Sequence, residues 1–177
     1  MLKLITSPNQ ILDKVLVEFD FDNPVMDPYQ LEEEMIRLMA TKNGIGLSAN
    51  QVGIDARVFV IMTRNLKGVT TPFAVFNPKI IAVSEELEEE EEGCLSFPGL
   101  FFKVKRYSHV VVEFLDRDKN PVIIRLDDID ARCFQHELDH LNGVCFTSKI
   151  SKLKLAMAVK KQRKNNGRTQ QRTAIGI

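Results

Sequence analysis

"FQHELDHLNG", residues 134–143, sets two of the chain's three histidines four positions apart, with Glu137 directly after the first. On a helix, residues four apart lie one above the other on the same face. His136 and His140 can then offer imidazole nitrogens to a single ion at about 2.0–2.1 Å. Glu137 projects about 100° round the helix, beside the ion rather than on it. That geometry suits a general base acting on water activated by the metal. The flanks support the helix. Asp127, Asp128 and Asp130 put negative charge in its first turn, and Asn142-Gly143 ends it.

A catalytic site of this kind needs a third protein ligand and an open position. Cys94, Cys133, Cys145 or a carboxylate could supply it. Cys133 shares the helical face, but the helix rises roughly 10 Å over seven residues, and a short thiol does not reach an ion held between His136 and His140. It reads as a small packing residue. Cys145 follows the terminating glycine, and "VCF" looks like core. Cys94 lies in "EGCLSFPG", where glycine and proline mark an irregular segment able to bring a thiolate against the helix.

The rest of the chain bounds the answer. Its 177 residues, 44% hydrophobic and 27% charged, predict one domain with its own core. Apolar runs fall short of a membrane span, and "MLKLITSPNQILDK" reads as the start of the folded domain, not as a signal or transit peptide. Three scattered cysteines do not make a disulfide framework, so a cytoplasmic, reducing compartment is expected. The zero net charge hides an asymmetry. Residues 151–177 carry eight Lys or Arg and no acid, which leaves sixteen basic against twenty-four acidic residues before them. Such a tail either contacts something anionic, such as nucleic acid or a ribosome, or is a solvated helix.

"DPYQLEEEMIRLMATKNG", from residue 27, predicts the first helix. Asp27 caps it, Pro28 starts it, and Leu31, Met35, Leu38 and Met39 form its apolar face. Residues 57–63, 73–84, 109–115 and 121–126 are β-branched and aromatic-rich and predict strands, with "DRDKN" as the turn between the last two. The seven glutamates of "EELEEEEEG", residues 85–93, read as an edge strand or a loop leading into the site. A basic helix is expected over about 148–165 and a disordered tail over 166–177. The fold class is α+β: mostly antiparallel strands packed around the central H-E-x-x-H helix, with one helix N-terminal and one C-terminal. "NGIGLSANQVG", residues 43–53, combines glycines that let a ligand approach with an amide, Gln51, able to face an oxyanion.

"GIGLSANQ", "EGCLS" and "QHELDH", in this order and at these separations, closely resemble the three motifs of the peptide deformylases, and the resemblance covers about residues 1–165. It implies a metal-dependent hydrolase that removes the formyl group from N-formylmethionyl nascent chains and releases formate. The implied ligands are Cys94, His136 and His140. The implied ion is Fe²⁺, with Zn²⁺, Ni²⁺ or Co²⁺ able to substitute. Glu137 would carry the proton, and Gln51 with the backbone N–H of Leu95 would face the oxyanion. Ile45, Gly46 and Gly93 would pair with the extended substrate, while Gly44, Ile45, Ile129 and Cys133 fall where the methionine pocket is lined. Arg106 would pair with Asp139. The basic helix resembles a ribosome-docking extension. A monomer is expected. Ser48 and Asn50 stand where the family often has alanine and a small or hydroxyl residue, and are expected to alter loop packing alone. The rival readings are a zincin-type endopeptidase, for which no Glu follows Glu137 to act as ligand, and an inactive metal-binding relative whose tail binds RNA or ribosomes.

Overall fold

The structure, a computed structural model, describes residues 1–64 and 71–165, with side chains to residue 162. The first helix, α1, spans Pro28–Thr41. The Asp27 side chain accepts from the Gln30 N–H, Pro28 fills the position that needs no donor, and Leu31, Met35 and Met39 are buried.

Among the described residues seven strands follow: β1 Gly46–Ser48, β2 Val58–Ile61, β3 Phe73–Val83, β4 Leu87–Gly93, β5 Phe101–Tyr107, β6 His109–Leu115 and β7 Pro121–Asp127. Five of them form one antiparallel sheet in the order β1-β2-β3-β6-β7, while β4 and β5 pair as a separate ribbon. The central helix α2, Asp128–Leu141, packs against β1, β2, β6 and β7 and also meets β5. A third helix, α3, spans Lys152–Asn165. The architecture is α+β, as the sequence predicts. One boundary moves: residues 146–149 form a separate 3₁₀ turn, so α3 starts at Lys152 instead of 148. The tail expected over 166–177 lies outside the described residues.

Strand β3 is bulged between Phe76 and Lys79. Asn77, at φ 49°, leaves the ladder there and bonds both backbone groups of Phe19, at 2.7 and 3.0 Å. The bulge thereby anchors the N-terminal segment, and Phe19, Phe21 and Phe76 stack edge to face over it. That segment stitches the three motifs together. The Ile5 N–H donates to the Gln51 carbonyl, that of Ser7 to Ser96, and that of Leu16 to Leu141.

The main core lies between the large sheet, α1 and α2; a smaller one joins Cys94, Leu100, Phe102, Val104 and Phe146 to Leu155, Ala158 and Val159 of α3. Phe134, fully buried on α2, meets Phe59 edge to face at 5.1 Å. Truncating Phe134 to alanine is expected to cost about 3–5 kcal/mol, read as a lowered midpoint in denaturant unfolding with an unchanged slope.

Candidate metal centre

Helix α2 follows β7 directly, with Asp128 and Asp130 in its first turn, and its His136 and His140 meet Glu92 at the end of β4 and Cys94 just after it. Both imidazoles are buried, their ring centres 5.1 Å apart. Cys94 comes to them from the turn after β4, with its Sγ 3.2 Å from His140 Nε2. Among the described residues, Cys94, His136 and His140 are the group whose ligand atoms converge, all within 4.8 Å of one another.

The donor set fits a divalent transition ion on observations of the chain itself. His136 Nδ1 is engaged by a Glu92 carboxylate oxygen at 3.1 Å, while its buried Nε2 has no hydrogen-bond partner among the described residues. A carboxylate behind one ring nitrogen fixes the tautomer that offers the other to a metal. One thiolate with two imidazoles is a soft-to-borderline set. Electrostatics agree. Burial alone pushes His136 down, but the Cys94 sulfur and the Glu92 carboxylate outweigh it and hold its pKa up at about 10. His140 is pushed well below its usual value by burial, then by His136 and Arg106. The pair thus favours one positive charge, and an ion has to displace a proton to take that place.

Glu92 anchors a buried network. Arg106 bonds both its oxygens, at 2.8 and 2.9 Å, and Arg132 Nη1 bonds Oε1 at 2.8 Å. Burial raises the Glu92 pKa, yet Arg106 and His136 together hold it down at about 2. Arg106 also pairs with Asp139, and Arg132 donates to the carbonyls of Val104 and Glu88. Neither Glu92 nor Arg132 stands out in the sequence, the first because it is one of seven glutamates.

The glycine-rich stretch is a short strand and a 3₁₀ turn, not the loop expected. Its geometry is set by close approach. A Cβ on Gly46 would lie 2.8 Å from Cys133 Sγ and closer still to Glu137 Oε1; one on Gly44 would lie 2.8 Å from Leu95. Gly46→Ala is expected to force Glu137 or Cys133 aside at a cost of about 1–3 kcal/mol, which a lowered melting temperature checks. Gln51 is fully buried, its Oε1 taking the Ser48 N–H at 2.8 Å and its Nε2 lying 3.1 Å from Ser96 Oγ and 3.5 Å from Cys94 Sγ. Glu137 is buried, which raises its pKa, and its Oε1 has no hydrogen-bond partner among the described residues. Cys133 Sγ contacts the Ile45 carbonyl at 3.5 Å, and burial with nearby carboxylates pushes its thiol well up. Gly93 sits under the Phe101 ring, and Ile129 packs on the main core.

Two departures from the expected motif do more than pack. The Ser48 hydroxyl reaches Glu137, and Asn50 Nδ2 donates to the His140 carbonyl at 2.9 Å.

A family model for polypeptide deformylase matches residues 1–156. The chain belongs to the peptide deformylase family. It is 39% identical to the peptide deformylase of Agrobacterium fabrum over 132 residues, 75% of this chain and 78% of the relative. It is 35% identical to that of Rhizobium meliloti over 158 residues, 89% and 90% of the two chains. The peptide deformylase of Ehrlichia chaffeensis in complex with actinonin superposes with a TM-score of 0.82 at 34% identity, covering 95% and 98% of the two chains. Among the described residues, no helix is long and apolar enough to cross a membrane.

Proposed function

We propose that Cys94, His136 and His140 hold the metal of this deformylase and that Glu137 carries the proton. The reaction is metal-dependent removal of the N-formyl group from nascent peptides, as the family membership establishes. The observation that carries the residue assignment is the convergence of one thiol and two imidazoles beside a buried, unpartnered carboxylate oxygen.

A divalent ion there would supply Lewis acidity, polarising the formyl group and making water a stronger nucleophile. The remaining work falls to the chain. Glu137 accepts the attacking water's proton at Oε1 and returns it to the leaving amine, and its burial raises its proton affinity towards the working pH. Gln51 Nε2 and the Leu95 N–H donate to the oxygen that gains charge. Among the described residues β1 pairs with β2 alone and β4 with β5 alone, which leaves each strand an edge that an extended peptide would bond. Its backbone would bond Ile45, Gly46 and Gly93, with the methionine side chain against Gly44, Ile45, Ile129 and Cys133. Arg106 and Asp139 support the ligand helix from behind. An endopeptidase reading is disfavoured because the candidate third ligand is a cysteine at a strand end.

Fe²⁺ is the proposed native ion, with Zn²⁺, Ni²⁺ or Co²⁺ as substitutes, in a cytoplasmic monomer whose catalytic unit is residues 1–165. Chelation should abolish activity on a formyl-Met tripeptide, and Fe²⁺ added without oxygen should restore it. Recovery with no ion at all would overturn the proposal. Helix α3 is the proposed ribosome contact: Leu155, Ala158 and Val159 face the smaller core while Lys152, Lys154, Lys160 and Lys161 are exposed. Co-sedimentation with ribosomes should fall steeply with salt and vanish when the four lysines become alanine. Binding that survives both changes contradicts the assignment.

A further inference from the structure

We propose that Ser48 is a positioning residue for deformylation, its hydroxyl fixing the Glu137 carboxylate while its backbone N–H fixes the Gln51 amide. The inference rests on Glu137 being the proton carrier. Ser48 is fully buried at the end of β1, beside the ligand helix. Its Oγ donates to Glu137 Oε2 at 2.5 Å, and the other acceptor in reach, the Glu137 backbone carbonyl, is at 3.1 Å. The hydroxyl has one proton, and the shorter, charge-assisted bond is the stronger of the two.

Pinning Oε2 decides where the other oxygen points. The terminal torsion of a glutamate is broad and nearly two-fold, so the carboxylate alone does not select one oxygen for the reaction. Among the described residues Oε1 is the oxygen left without a partner, and it faces Gly46, two residues before Ser48, where the bare glycine makes room for it. The same serine orients the second polar group. Its N–H bonds Gln51 Oε1 at 2.8 Å, which turns Nε2 towards Cys94 and Ser96. One residue therefore sets the direction of both the proton carrier and the oxyanion donor. A serine that only satisfied its own burial could use the backbone carbonyl and leave the carboxylate free.

Ser48→Ala separates these roles, because it removes the hydroxyl and keeps the N–H to Gln51. In enzyme fully loaded with Ni²⁺, kcat on a formyl-Met tripeptide should fall about ten-fold with KM within about two-fold, the pattern of an interaction made in the transition state. Melting temperature and metal stoichiometry should stay as in the parent, and Ser48→Thr, which restores a hydroxyl, should recover most of kcat. In a Glu137→Ala background, adding Ser48→Ala should cost nothing further, since the serine's partner is gone. An unchanged kcat in Ser48→Ala, or an equal loss with and without Glu137, would overturn the proposal. Full activity in Glu137→Ala itself would instead show that the proton carrier had been misassigned, a separate failure.

Discussion

Replacing Glu137 by glutamine should lower kcat by roughly 10²–10⁴ while the protein still binds one ion. Glutamine has nearly the same shape, so the fully buried site keeps its packing, and its amide oxygen can still accept from Ser48. What disappears is the ability to take up a proton at Oε1. The proposed metal ligands Cys94, His136 and His140 are untouched. Initial rates on a formyl-Met tripeptide, beside metal analysis of the same preparation, check this. A rate within a few-fold of the parent at full metal occupancy contradicts the assigned role.

The second large effect is expected at a residue far less conspicuous in the sequence. Glu92→Gln should destabilise the protein by about 3 kcal/mol and weaken metal binding by roughly 10–100-fold. Glu92 is the acceptor shared by Arg106, Arg132 and His136, and its side chain is wholly buried. Removing its charge takes from Arg132 the carboxylate it pairs with and loosens the hold on the His136 ring at Nδ1. The electrostatics of the buried carboxyl point to an effect of the same size. Holding the carboxyl pKa at about 2 instead of 4.5 is worth about 3 kcal/mol at 1.36 kcal/mol per unit. The sign is that of a depressed acid: the stability is present in full above about pH 5 and is lost as the pH falls through 4.5 towards about 2. Melting curves of parent and variant should therefore lie well apart at neutral pH and converge in acid. Parallel curves across that range would mean that the charge of Glu92 carries none of the stability.

How far the sequence could be read depended on how local each signal was. The α2 helix was legible because its caps, its i, i+4 histidines and its terminating glycine lie within a few residues of one another. Helix α1 was legible for the same reason. Strand β5 is hard to read along the chain because its inward positions are Phe102, Val104 and Arg106, alternating with exposed Lys103, Lys105 and Tyr107. An arginine occupies an apolar slot there because Glu92, on the neighbouring strand, bonds it, and that partnership is invisible along the chain. Strand β1 is three residues long, too short to show a period, and its existence depends on pairing with β2. Within the site, Cys94 could be reached by asking which thiol can approach the helix. Ser48, Asn50, Glu92 and Arg132 could not, since each acts through a contact more than 35 positions away in sequence.

The most direct measurement is product analysis by NMR of a formyl-Met tripeptide carrying ¹³C in the formyl group, incubated with the metal-loaded enzyme. The account predicts labelled formate and free methionyl peptide in equal amounts, with every internal peptide bond intact. Cleavage between residues, or an unchanged substrate in the presence of one bound ion per chain, would contradict it.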